Sequence, residues 1–137
     1  MRPSFNVRVY GLCFYGEKFL ALKEMYAGTE LLKLPGGGLE FGEGLIECLE
    51  REMKEELNLE IHSTEHFYTQ EGFVVSRFNE KEQLLTIYYR CEISNPKDLK
   101  ILEPSIQEVL WIDPQKRNPF ELPIDIIVFD LLQKSLL

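Results

Sequence analysis

The run Pro35-Gly36-Gly37-Gly38, followed a few residues later by an amphipathic stretch, constrains this chain more than any other feature. Proline lacks a backbone N–H and glycine lacks a Cβ, so the run reads as the strongest breaker of regular structure in the sequence. Beyond it, Leu45, Leu49, Met53 and Leu57 recur at helical spacing, and Ile46 widens the stripe. The spacing predicts a helix over 44–57. Asn58 stands where it should stop, because asparagine tolerates the left-handed conformation that closes many helices. Glu52, Glu55 and Glu56 fall at i, i+3 and i+4, so they share one face, away from the apolar stripe. Like charges at this spacing cost about a few tenths of a kcal/mol per pair, and the negative end of the helix dipole adds to that cost. A divalent cation offsets both, and magnesium takes oxygen ligands, commonly one or two carboxylates with water and phosphate. On local grounds alone, an acidic face solvated by water accounts for the three glutamates as well, with Arg51 able to pair with Glu55 or Glu47. The glycines alone are compatible with a plain turn. They form neither a Walker loop, since no Lys-Ser/Thr follows, nor a dinucleotide fingerprint.

The flanking sequence supplies a sheet. Alternating apolar and polar residues with β-branched and aromatic types predict strands over 5–14, 19–25, 31–34, 84–93 and 108–112. Tyr15-Gly16-Glu17 is the first turn, 59–78 reads as one or two strands, 79–83 as a connecting turn and 96–104 as a loop. A C-terminal helix is expected from 120 or 122 to 136, with Pro123 tolerated in its first turn. Strands, helix, strands, helix is the order of an α+β domain in which helices pack on a mixed sheet. With 137 residues and 45% hydrophobic content, one domain over 1–137 with a sizeable core is expected.

The net charge of -8 argues against nucleic-acid polymers and anionic membranes as partners. It leaves room for a small anionic ligand if a cation or a local cluster of Lys and Arg reverses the field. Arg8, Lys23, Arg77 and Arg90 are the strand cations that could reach phosphates, depending on which way their strands face. Cys13, Cys48 and Cys91 are odd in number and lack metal or redox spacing, which fits buried thiols in a reducing compartment. With no signal-peptide pattern at the start and no apolar run of membrane-spanning length, a cytoplasmic location is expected. His62 and His66 have no partner at metal spacing and read as structural or surface residues. Phe67, Tyr68, Phe73 and Phe78 could stack a base, although core packing is the simpler reading.

Taken as a unit, residues 36–59, GGGLEFGEGLIECLEREMKEELNL, resemble the box of the Nudix (MutT-like) hydrolase family. That pattern is Gly, five residues, Glu, seven residues, Arg-Glu, an aliphatic, any residue, Glu-Glu, any residue, Gly, aliphatic. Gly37, Glu43, Arg51-Glu52, Met53, Glu55-Glu56 and Leu59 occupy its positions, and Asn58 replaces the last glycine. A chance match is on the order of one in ten million per starting position at ordinary residue frequencies, less extreme in a Glu-rich chain. The resemblance covers the box, 37–59, and implies a Nudix-type α/β/α sandwich with a mixed β-sheet between helices.

It implies further that Glu52, Glu55 and Glu56 ligate Mg²⁺ (or Mn²⁺), that the Gly36 carbonyl is a backbone ligand, and that Gly37, Glu43 and Arg51 form the framework of the box. The implied reaction is hydrolysis of a phosphoanhydride bond in a nucleoside diphosphate linked to another moiety, such as a nucleoside triphosphate or a nucleotide sugar. Water attacks phosphorus and a carboxylate takes the proton. Glu52, Glu55 and Glu108 are candidates for that carboxylate. The marks of the ADP-ribose and diadenosine polyphosphate subgroups are missing: no proline lies between Leu59 and Asn95, and Ser76-Arg77 stand where the tyrosine of the second subgroup is expected. The coenzyme A and NADH signatures are not seen either. A homodimer is common in the family. Two other readings stay open: a non-catalytic Nudix-fold module that senses a nucleotide, and an interaction protein whose acidic helix is a solvated face.

Overall fold

The computed structural model describes residues 2–137. Strand β1 (Ser4–Tyr15) turns through Gly16 into β2 (Lys18–Tyr26), which returns through Ala27 and Gly28, both at positive φ, into β3 (Thr29–Lys33). A short strand β4 (Gly36–Gly38) leads to helix α1 (Leu45–Leu57). Next come β5 (Ile61–Thr69), β6 (Val74–Ser76), β7 (Asn79–Ile93), a 3-10 turn at Pro96–Asp98, β8 (Ile106–Ile112) and helix α2 (Pro123–Ser135). The sheet runs β3-β2-β1-β7-β5, with β4 also paired to β1, β6 to β7 and β8 to β2. Among the described residues only β1 and β7 pair in parallel, from Ser4↔Glu82 to Phe14↔Glu92, so the sheet is mixed.

The period of two along β1 explains the layering. Val9 and Cys13 join Cys48, Leu49, Met53 and Leu57 of α1 on one face. Leu12 and Phe14 join Ile124, Val128, Phe129 and Leu132 of α2 on the other. Gly11 faces α1, and a Cβ there would meet Cys13 Sγ at 2.6 Å and Leu49 at 3.2 Å, so the glycine lets the helix approach. The result is the α/β/α sandwich. Cys13, Cys48 and Cys91 are free and buried. Among the described residues no helix is long and apolar enough to cross a membrane.

Two local expectations are corrected. The glycine run is not simply a breaker: Gly36, Gly37 and Gly38 pair with Tyr10, Val9 and Arg8, so their backbone groups are held in the sheet. Residues 79–83 are strand rather than turn, because 82 and 83 pair with the start of β1, and the reversal falls one step earlier, at Arg77-Phe78. The polar composition that marks a turn here belongs to a solvated strand end. Residues 59–78 resolve into two strands, β5 and β6.

Candidate active site

The site forms where β4 passes beneath the carboxylate face of α1. Gly36 has φ +143°, and a Cβ there would lie 2.1 Å from the Val9 carbonyl oxygen and 2.8 Å from Tyr10 Cα. Only glycine therefore lets β4 lie against β1. A Cβ on Gly37 would fall 2.6–2.7 Å from the Glu52 carboxylate, so this glycine is the floor on which Glu52 rests. The helix starts with Glu47 Oε1 accepting the Gly44 N–H at 2.9 Å. It ends on Asn58 at φ 58°, whose N–H donates to the Lys54 carbonyl, while the Leu59 N–H reaches the Met53 carbonyl. Asparagine thus takes the left-handed position.

Arg51 organises this corner. Its guanidinium donates to both Glu43 oxygens at 2.9 and 2.8 Å, to the Gly38 carbonyl at 3.0 Å, to Glu52 at 2.9 Å and to Glu55 at 3.2 Å. The bidentate contact ties the loop before α1 to the helix. Hydrogen bonding from Arg51 holds the Glu43 carboxyl down to about 2, and the same contacts push the Arg51 guanidinium further up.

A cleft of about 410 Å³ opens between α1, β2, β4 and the loop before β8. Glu52 and Glu56 line it together with Gly36, Gly37 and Gly38. Burial, and then the facing Glu52 carboxylate, push the Glu56 carboxyl up to about 8. A bound cation would offset what raises the Glu56 carboxyl. An all-oxygen donor set with a raised carboxyl fits a hard divalent ion such as Mg²⁺. Among the described residues no group of three or more His, Cys, Asp or Glu side chains already converges on one metal position.

The remaining sequence candidates separate. Glu55 is 60% exposed at its side chain and pairs with Arg51 rather than lining the cleft. Glu108 lies on β8, 55% exposed, 3.7 Å from Lys23, and also stays outside it. Arg8 lines the cleft, Arg77 stands over the Phe78 ring, and Arg90 stacks 4.4 Å from the Phe14 ring centroid. His62 contacts Ser94 and Glu92, and His66 contacts Thr69, all near the surface.

Sequence reasoning missed Glu24, Lys33, Glu103 and Ser105, which also line the cleft. Glu24 is buried: one oxygen lies 3.2 Å from Lys33 Nζ, off the hydrogen-bonding direction, and the other accepts from Ser105 Oγ at 2.7 Å. Ser105 Oγ also lies 3.0 Å from Glu103. A buried Glu–Lys pair formed across β2 and β3 leaves no local signal; the available hint was two charges on strands otherwise apolar at those positions.

A second cavity of about 550 Å³ adjoins the cleft, walled by β1, β3, β6, β7 and the start of α2. Its walls include Leu31, Val74, Leu84 and Ile124, with Tyr26 and Phe78 at a centroid distance of 4.4 Å. Of the four aromatics in the post-helix cluster, Phe67 and Tyr68 pack against the α2 core, Phe78 lines this cavity, and Phe73 is exposed. At the back, Tyr88 donates to Asp125 at 2.8 Å, and burial raises the Asp125 carboxyl to about 6.

Comparison with known proteins agrees with this architecture. The chain resembles a U8 snoRNA-decapping enzyme of Homalodisca vitripennis at 33% identity over 90 residues, 65% of this chain and 45% of that protein, so the match spans less than half of the relative's length. A MutT NUDIX hydrolase from Burkholderia pseudomallei superposes with a TM-score of 0.77 at 16% identity, over 93% of this chain and 98% of that one. A NUDIX hydrolase from Nitrosomonas europaea does so with a TM-score of 0.76 at 20% identity, over 95% and 89%. The NUDIX domain family matches residues 5–128, nearly the whole sandwich together with the Arg51-centred corner, and the chain belongs to the Nudix hydrolase family.

Proposed function

We propose that this chain hydrolyses a phosphoanhydride bond in a nucleoside diphosphate carrying a further group, a nucleoside triphosphate or a nucleotide sugar, in a reaction dependent on Mg²⁺ or Mn²⁺. The observation that carries this reading is the facing pair Glu52 and Glu56 in a cleft that continues into an apolar cavity of nucleoside size. Glu52, Glu56 and the Gly36 carbonyl would hold the cation, with Glu55 reaching it through a rotamer change from its exposed position. When bound, the cation neutralises phosphate charge and lowers the pKa of attacking water. Arg51 keeps Glu52 in place, and the Glu24–Lys33 pair sets the charge of the opposite wall. A cleft carboxylate takes the proton from water. The lining favours Glu52 or Glu103 for this over Glu108, which stands outside.

The test is a substrate panel with Mg²⁺, run on wild type and Glu56→Gln. It includes nucleoside triphosphates, nucleotide sugars and a capped oligonucleotide, the last because a relative is a decapping enzyme. Wild type should release a nucleoside monophosphate, pyrophosphate or sugar phosphate, and Glu56→Gln should lose at least about a hundredfold in turnover, the scale of losing one charge-stabilising group in an active site. Equal turnover by both proteins on every substrate would remove the metal role of Glu56. Nucleotide binding by wild type with no turnover would favour the sensing module instead.

A further inference from the structure

Three side chains, Arg8, Tyr26 and Lys33, line both the carboxylate cleft and the apolar cavity. Two of them are cations, and they bracket one ring. Arg8 Cζ lies 5.6 Å from the Tyr10 centroid and Lys33 Nζ lies 5.7 Å from it. The Arg8 Nε–H donates to the Tyr10 hydroxyl, which aims the guanidinium fork along the floor toward Gly38. Among the described residues the terminal nitrogens of Arg8 have no side-chain or backbone acceptor and no ion pair. Lys33 has one carboxylate partner, Glu24. Lys33 thus has its carboxylate partner, and the Arg8 fork keeps free donors beside Glu52 and Glu56, which line the same cleft.

Free guanidinium donors beside a second cation offer a contact set for an anion's oxygens. The two sides of the junction say which anion. The cleft wall is carboxylate, so a phosphate lying there needs a cation to meet it. A phosphate at the mouth of the apolar cavity is beyond that wall and needs protein charge. Arginine offers a planar fork to phosphate oxygens and lysine a point charge, a complementary pair. We infer that Arg8 and Lys33 form a metal-independent phosphate seat at this junction, holding the phosphate next to the nucleoside, so that a nucleoside monophosphate unit is the smallest ligand the protein recognises. This rests on the proposal that the cleft works on a phosphoanhydride. It adds an order to the substrate: nucleoside in the cavity, first phosphate on the two cations, the group to be released toward Glu52 and Glu56.

The experiment is calorimetric binding to the EDTA-treated protein, using AMP, GMP, CMP and UMP, the matching nucleosides and inorganic phosphate. At least one monophosphate should bind about tenfold or more tightly than its nucleoside and more tightly than phosphate alone, the scale of a charge-assisted contact. Arg8→Gln should lose about tenfold or more in monophosphate affinity and leave nucleoside affinity within about twofold, with Arg8→Lys falling between. Because Lys33→Met alone would strand the buried Glu24, Lys33 is tested as the Glu24→Gln/Lys33→Met pair, with its thermal melt as the folding control. Monophosphate binding no tighter than nucleoside binding, no measurable binding of either, or wild-type affinity in Arg8→Gln would each overturn the seat. Turnover with Mg²⁺ separates this from the broader reading. Turnover without metal-free monophosphate binding removes the seat and keeps the hydrolase. Metal-free binding with no turnover on any substrate keeps the seat and removes the hydrolase.

Discussion

The two compartments share Arg8, Tyr26 and Lys33 but are held together by different forces. The cleft is fixed by directional contacts: five hydrogen bonds from one guanidinium to oxygen acceptors, a glycine floor under Glu52 and a backbone ladder between β4 and β1. The cavity is fixed mostly by packing, with Tyr10–Tyr88 at 5.5 Å and Tyr26–Phe78 at 4.4 Å, beside the polar contacts Tyr88–Asp125, Asn6–Glu82 and Arg8–Tyr10. Directional bonds hold atoms to fractions of an ångström, which displacement at phosphorus requires. Dispersion contacts tolerate changes of shape at modest cost. On the proposed reading, chemistry and substrate choice would occupy parts of the molecule with different tolerance to change.

The largest expected effect comes from removing the slack that the cleft lacks. Gly36→Ala places a methyl group 2.1 Å from the Val9 carbonyl oxygen on a backbone at φ +143°. Either β4 leaves β1 or the residue is strained, so urea unfolding should show a loss of about 3–4 kcal/mol. A loss within about 1 kcal/mol would mean that β4 can shift freely, and the contrast between a rigid cleft and a tolerant cavity would fail.

The same contrast explains what could be read before the structure. The Glu43–Arg51–Glu52–Glu56 group lies in one continuous segment, where helical periodicity and fixed spacing carry geometry directly. The two helices, the mixed sheet and the left-handed stop at Asn58 follow from the same local rules. Glu24, Lys33, Glu103 and Ser105 come together only through the pairing of β2 with β3 and β8, a long-range property that no local period encodes. Glu108 stands near Trp111 in sequence, yet β8 places it beside Lys23; Glu103, in the preceding loop, lines the cleft instead. The cavity draws on elements from β1 to α2, and so remained out of reach of the sequence.

A smaller effect is expected at the back of the cavity. Asp125 is buried, and burial holds its carboxyl at about 6 against an ordinary value of 3.8, so the folded state keeps the proton more tightly than the unfolded chain. Its contribution is fully present below about pH 3.8 and is lost as pH rises through about 6. Asp125→Asn keeps an acceptor for the Tyr88 hydroxyl and removes the charge. The variant should be more stable than wild type by about 1–2 kcal/mol at pH 7, with the advantage shrinking toward pH 4. Denaturant titrations at both pH values decide it. An advantage independent of pH, or larger at pH 4, would show that burial does not raise the Asp125 carboxyl.

The smallest effect belongs to the mouth of the cavity, where the Tyr26–Phe78 contact joins the β2–β3 turn to the β6–β7 turn. Both rings are half exposed, at 41% and 47%, so most of their value lies in the contact rather than in burial. A double-mutant cycle over Tyr26→Ala and Phe78→Ala should give a coupling of about 1 kcal/mol in stability. On the substrate found by the panel, Phe78→Ala should raise KM and leave kcat within about twofold, because Phe78 lines the cavity and not the carboxylate cleft. A matching fall in kcat would mean that the mouth aligns the phosphates as well as the nucleoside. The two compartments would then be one device, and the tolerance assigned to the cavity would have to be withdrawn.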